Sequence, residues 1–232
     1  MNKTISVIIP CLNEKANIGN LLKTIEVFED VEAIVVDGGS SDGTPEIAKA
    51  HRTKLLKAGA CRGSQLNAGA RAAGGDIFFF VHGDSTIPRT FKEDIYQILL
   101  KKGATLGAFR LKIDSPSPPF RLVETMVNLR SSILSLPYGD QGLFIKREDF
   151  FSAGGFKDYP IMEDFDFVRR MKKRGRILLA RSHIKTSPRR WGKYGILRTT
   201  FLNQLIILGF FLGVPPNHLV RLYYPRKTRK DL

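Results

Sequence analysis

The stretch AIVVDGGSSDGTPEI, residues 33–47, joins two periodicities through one turn. AIVVD is a run of mostly β-branched apolar residues, the pattern of a strand buried on both faces, and it stops at Asp37. GGSSDG cannot continue it, because glycine favours sharp turns and Ser and Asp side chains bond to nearby backbone. Thr44 then stands where a helix cap belongs, with Pro45 at the first helical position and Glu46 in the first turn. A buried strand feeding a helix through a short polar loop is half of a βαβ unit. The pattern recurs on both sides. Upstream, ISVIIP reads as a buried strand, followed by Ile18, Leu21, Leu22 and Ile25 at helical spacing. Downstream, TKLLKAG is a short strand, GSQLNAGARAA a small helix, DIFFFV a fourth strand and KEDIYQILLKKG a further helix. This alternation predicts an α/β fold with a mostly parallel central sheet flanked by helices.

The pattern changes at Ala104. TLGAFRLKID alternates as a strand, the proline-rich SPSPP is a loop and FRLVETMVNLRSSIL is helical. GLFIKRE starts a strand, and EDFDFVRRMKKRG is a helix whose acidic start and basic end suit the helix dipole. No composition shift marks a linker. The expected organisation is one domain over residues 1–232, with a core at about 4–191 and a helical extension at about 192–232.

At 43% hydrophobic and 25% charged residues, the 232-residue chain has the composition of a globular protein, which argues against disorder. Its net charge of +15 is uneven. Residues 1–50 carry 4 basic and 8 acidic groups, whereas residues 181–232 carry 11 basic groups and only Asp231. A basic end of this kind suits an anionic ligand or surface. The same end holds LIILGFFLGV, residues 205–214, ten apolar residues where a bilayer span needs about 20. It is expected to lie in a membrane interface or to pack against protein. Cys11 and Cys61 form no CxxC and have no metal-ligand company, so neither a disulfide framework nor a zinc site is indicated. The apolar stretch after Lys3 is too short for a signal peptide. The expected location is cytoplasmic, possible as a peripheral protein on the inner face of the membrane.

In open α/β sheets ligands bind beyond the carboxyl ends of the strands. Three such ends carry acids here: Pro10 to Glu14, Asp37 to Thr44, and His82 to Ser85. A single acid there is usually a turn former. Three converging on one sheet edge, with MED at residues 162–164 downstream, point to a site.

Taken together, SVIIPCLNE, VVDGGSSDGT, FFFVHGDS, GDQGLFI and MEDFDFVRR resemble the successive motifs of family-2 glycosyltransferases, which have the GT-A fold and use nucleotide-diphosphate sugars. The run PYGDQG, PIMEDFDF, TSPRRW is similar to a small bacterial subgroup of them. The resemblance implies that Pro10, Asn13, Glu14, Asp37 and Asp42 bind the nucleotide; a strand-end carboxylate such as Asp37 is a suitable acceptor for a base N–H. It implies that Asp84 is the second acid of a DxD motif holding Mg²⁺ or Mn²⁺ against the diphosphate. The sequence departs from the motif by placing His82 at the first acid; imidazole is neutral above a pKa of about 6.5, so the site loses one negative charge. His82 is open to three roles: ligating Mn²⁺, donating to a phosphate, or positioning Asp84. The resemblance assigns the base to Asp164, supported by Glu163. SPRRW is similar to the QxxRW motif of processive members, with Ser187 in place of Gln. Arg189 and Arg190 suit the leaving diphosphate and Trp191 the acceptor. Arg62, Gln65 and Asn67 are expected on the diphosphate side, Asp140 and Gln141 on the acceptor side, and His183 in the metal shell.

The expected reaction is inverting transfer of a sugar to a hydroxyl on a lipid-linked or small-molecule acceptor, with an anionic membrane surface as a further partner. A sugar-nucleotide nucleotidyltransferase would show a glycine-rich, Arg-containing phosphate loop after the first strand, which PCLNEKAN is not. A non-catalytic nucleotide or nucleic-acid binder would use the basic tail but gives no reason to keep Asp84 beside Glu163 and Asp164. No helix-turn-helix, RNP-like aromatic motif or zinc finger supports nucleic acid.

Overall fold

The computed structural model describes residues 3–59 and 61–223. The elements run β1 (Ile5–Cys11), α1 (Ile18–Glu26), β2 (Val31–Asp37), α2 (Thr44–Lys49), β3 (Lys54–Lys57), α3 (Arg62–Ala72), β4 (Ile77–Phe80), α4 (Phe91–Leu99), β5 (Ala104–Ile113) and α5 (Pro118–Leu134). A 3₁₀ turn (Gly139–Gln141) follows, then β6 (Leu143–Lys146), α6 (Arg147–Ser152), α7 (Glu163–Lys172), β7 (Arg176–Thr186), α8 (Arg189–Tyr194), α9 (Ile196–Phe211) and α10 (Pro216–Tyr223).

Seven strands form one sheet in the order β3-β2-β1-β4-β6-β5-β7. β1 pairs in parallel with both β2 and β4, β2 with β3, and β5 with β7. Only β6 runs against its neighbours. The expected mostly parallel sheet is therefore present, with one reversed strand at its centre.

β4 shows why its sequence is apolar without alternation. Phe79 faces one layer, stacked on Phe91 at 5.7 Å and tilted against Phe109 at 5.3 Å. Phe78 and Phe80 face the other, edge-on or tilted to Phe150 at 5.5 Å and 5.2 Å. The first layer is closed by α1 and α4 through Ile18, Leu22, Ile25, Phe91 and Ile95. The second is closed by α3, α6 and α7 through Leu66, Ala70, Phe150, Phe167 and Met171. A strand covered on both faces buries every side chain, and each phenylalanine so removed from water is worth about 2–3 kcal/mol before entropy is charged.

Two local expectations change. β7 is the longest strand, yet the sequence reading places no element at its residues; it is stabilised chiefly by its parallel ladder with β5 at the edge of the sheet. Thr44 is the first helical residue and does not cap α2. Asp42 Oδ1 accepts its N–H at 3.0 Å, while the cap position falls on Gly43, whose φ of +93° a side chain would strain. Among the described residues no helix is long and apolar enough to cross a membrane.

Candidate active site

The carboxyl ends of β1 and β4 and the start of α7 open on a cleft of about 460 Å³. Pro10, Glu14, Arg62, Gln65, His82, Asp84, Asp140, Glu163, Asp164, Arg189 and Trp191 all line it. Residues 175 positions apart in the chain thus share one space, as the strand-end rule requires.

Glu14 and Asp84 meet at Arg189. Its Nη2 donates to Glu14 at 2.7 and 2.8 Å and to Asp84 Oδ2 at 3.3 Å. Two carboxylates from different strand ends are held together by one guanidinium carried on α8. The side chain of Arg190 lies outside the described residues.

The same cleft takes in the acidic start of α7. Asp164 Oδ2 accepts the Gly139 N–H at 2.6 Å and Oδ1 its neighbour's, that of Phe165, at 2.7 Å. Gly139 permits this approach, because a Cβ there would lie 2.9 Å from Asp164 Oδ2 and 3.3 Å from His82 Nε2. Met162, just before the acidic pair, has a φ of +69°. That conformation is strained for methionine, and packing of Ile161 and Met162 against Ile206, Leu219 and Val220 holds it.

Burial sets the charge of the remaining groups. Glu163 is 3% exposed, and burial, reinforced by the Asp164 charge, pushes its carboxyl up to about 7. Arg62 Nη1, 3.9 Å away, opposes that rise. Asp140 is pushed up to about 6 by burial, and its Oδ1 is enclosed without a hydrogen-bond partner among the described residues. His82, open to the cleft and enclosed elsewhere, is pushed down to about 3 by burial and by Arg62, so its ring is neutral at any physiological pH.

Other expected site residues are not among those that line the cleft. Asp37 is 2% exposed and accepts the backbone N–H groups of Gly39 and Ser40. Asp42 accepts from Lys15 N and Thr44 N. Asn13 donates its N–H to Ser40 Oγ and accepts the Ser41 N–H on Oδ1. Asn13 and Asp42 stitch the loop after β1 to the loop after β2, and Asp37 closes the latter on itself. Asn67 clasps both backbone groups of Phe156, at 2.8 and 3.0 Å, so it ties α3 to the loop before α7 and does not reach the diphosphate side. Gln141 is fully buried; its amide donates to Phe109 O and accepts from Ser131 Oγ, which leaves nothing for an acceptor. His183 belongs to a different groove, with Arg110, Lys112 and Arg121, because β7 directs it to the far side of β5. It therefore supplies no ligand beside Asp84.

Sequence reading missed the far wall. Asn203, Ile206 and Ile207 of α9 line the cleft, as does Tyr138, whose ring carries Arg130 at 3.5 Å. The one available signal was Asn203, a polar residue at the mouth of an apolar run.

Asp84 fits a hard divalent ion of minimal protein ligation. Among the described residues no three His, Cys, Asp or Glu side chains converge as a metal cage. Mg²⁺ and Mn²⁺ in such sites take one or two carboxylates and complete their shell with substrate phosphate oxygens. Asp84, a half-buried carboxylate lining the cleft with the neutral imidazole of His82 nearby, is a residue of that kind.

The sheet order and the placement of this cleft define the GT-A fold of nucleotide-diphosphate-sugar transferases, and solved structures of that fold superpose on the chain. The Staphylococcus aureus TarS fragment 1–349 in complex with UDP-GlcNAc matches with a TM-score of 0.65 at 18% identity, over 79% of this chain and 58% of that one. The Pyrobaculum calidifontis mannosyltransferase PcManGT, in complex with GDP-Man and Mn²⁺, matches at 0.63 with 20% identity, over 80% of this chain and 57% of that one. The glucosyl-3-phosphoglycerate synthase of Mycobacterium tuberculosis, in complex with Mn²⁺, UDP and phosphoglyceric acid, matches at 0.60 with 22% identity, over 79% of this chain and 69% of that one.

The family model "Glycosyl transferase family 2" matches residues 6–160, and the chain belongs to that family. A curated relative, the probable glycosyltransferase YdaM of Bacillus subtilis (strain 168), is 26% identical over 89% of this chain and 56% of its own length. The chain thus spans a little over half of that relative and of the first solved structures.

Proposed function

We propose that the chain transfers a sugar from a nucleotide-diphosphate donor to a hydroxyl acceptor with inversion at the anomeric carbon. The observation that carries this reading is the convergence of Glu14, Asp84 and Arg189 in one cleft with Asp164. The first set suits a diphosphate and the second a hydroxyl.

Arg189 offers a planar fork that binds a diphosphate bidentately, and Arg62 adds a second positive charge at the cleft. The loops closed by Asn13, Asp37 and Asp42 present backbone to the nucleoside. Asp84 would hold Mg²⁺ or Mn²⁺, with His82 beside it on the same loop. Such an ion, when bound, supplies Lewis-acid neutralisation of the leaving diphosphate. Asp164, fixed by two backbone N–H groups, takes the acceptor proton as the hydroxyl oxygen bonds to the anomeric carbon and the bond to the diphosphate oxygen breaks. Glu163 is a positioning residue, buried beside it at the start of α7. Trp191 and Asp140 flank the acceptor. The acceptor is lipid-linked or small, and an anionic membrane surface is the expected partner of the basic end.

The test is incubation with UDP-, GDP- and dTDP-sugars, with and without Mn²⁺ or EDTA, following nucleotide release and anomeric configuration by NMR. No binding or turnover with any donor overturns the proposal. Retention of configuration overturns the single-base mechanism.

A further inference from the structure

α9 carries apolar residues on two opposite faces, and among the described residues it is covered on one of them only. At about 100° per residue, Leu202, Ile206 and Phe210 fall on one face, and these pack against Ile161, Met162, Leu219 and Val220. Leu197, Phe201, Leu205, Leu208 and Leu212 fall within about 80° of one another on the opposite face. Leu197 is 87% exposed, Phe201 66%, Leu208 55% and Leu212 75%. A continuous stripe of large apolar side chains in water marks a surface that something covers.

The charge of the C-terminal part of the chain says what. From Phe167 to Lys230 the sequence has 17 Lys and Arg residues and no Asp or Glu. Arg198 is exposed at the margin of the stripe. Beyond the described residues the sequence continues with Arg226, Lys227, Arg229 and Lys230. A second copy of the chain would bring one such basic end against another and be repelled, whereas an anionic lipid surface matches both features: apolar side chains enter the acyl boundary and cations face the headgroups.

We infer that the outer face of α9 docks on an anionic lipid surface. The same helix carries Asn203, Ile206 and Ile207 into the cleft, so docking sets one wall of the site against the membrane. This second step rests on the transferase reading above: the acceptor hydroxyl is then presented from the lipid phase, on a lipid-linked substrate.

The experiment is co-sedimentation of the full chain with vesicles of phosphatidylcholine alone or mixed with phosphatidylglycerol, at low and high salt. The chain should bind the anionic vesicles preferentially, and salt should weaken the binding. The combined variant Leu197→Ser, Phe201→Ser, Leu208→Ser, all at exposed positions, should partition at least about tenfold more weakly. A Val27→Ser, Leu100→Ser control, at singly exposed apolar positions at the ends of α1 and α4, should partition as wild type. Calorimetric binding of UDP-GlcNAc and GDP-Man is measured alongside and should be the same in wild type and variant. Absence of binding to anionic vesicles, or unchanged partition of the α9 variant, overturns the inference. So does a dimer seen by analytical ultracentrifugation that the α9 variant dissociates, which would make a second copy the occupant. Vesicle binding without binding of any sugar nucleotide leaves the docking surface standing and defeats the transferase reading.

Discussion

On the strand-end wall of the cleft, Asn13, Asp37, Asp42 and Thr44 spend their side chains on neighbouring backbone groups. On the helical wall, α9 and α10 are held by Ile161, Ile206, Leu219 and Val220, and no side-chain hydrogen bond joins them among the described residues. The first wall is rigid and polar because each loop is closed within a few residues of a buried strand. The second is held by non-directional burial between segments distant in sequence, which tolerates sliding and leaves α9 apolar on both faces. Arg189 is the strongest polar link between them, bonded to Glu14 and Asp84 from the first turn of α8.

If the walls are independent, each can be damaged alone. The largest effect is expected from Asp164→Asn, which should lower turnover by roughly 10²–10⁴-fold with donor affinity kept, read by nucleotide release and calorimetry. Undiminished transfer would remove Asp164 from the role of base. Next, Ile206→Ala should cost about 2–5 kcal/mol of the local packing of α9. It should raise the acceptor KM while donor affinity stays constant; equal changes in both would show that the walls are coupled.

Burial of acids at the seam gives a third prediction. Glu163 and Asp140 keep their protons in the folded chain up to about pH 7 and 6, while the unfolded chain loses them near its ordinary carboxyl values. Between those values the folded state binds more protons than the unfolded, so stability falls as pH rises and levels off above about 7. Melting temperatures across this range should decline in the wild type and flatten in Glu163→Gln. The smallest effect is expected on the strand-end wall. Asn13→Ala loses a residue suited to its φ of +56° and the Oδ1 that accepts the Ser41 N–H. It should cost about 1 kcal/mol in denaturant unfolding, with donor affinity reduced more than acceptor affinity.

Much of the first wall was legible in the sequence. Glycine and acid after a β-branched run mark a strand end, and the sheet rule says where such ends meet, so Glu14, His82 and Asp84 could be placed together before any coordinates. What sequence could not resolve is which acids face the cleft. Asp37 and Asp42 look like ligands by type, and the structure turns their oxygens onto backbone N–H groups. Asn67 and Gln141 were misplaced for the same reason: a polar side chain has the same identity whether it meets a ligand or closes a loop. His183 was misplaced because β7 went unread, and the facing of a strand residue depends on register.

The sequence by itself determined the alternation of strand and helix, the acids at the strand ends and the basic, apolar character of the last fifty residues, since these follow from local periodicity and residue chemistry. Only the tertiary structure decided that Arg189 bridges Glu14 and Asp84, that Glu163 is buried while lining the cleft beside Asp164, and that α9 lines the cleft with one face and, among the described residues, leaves the other exposed. Those outcomes depend on contacts between residues tens to more than a hundred positions apart, where packing geometry and not local propensity chooses the partner.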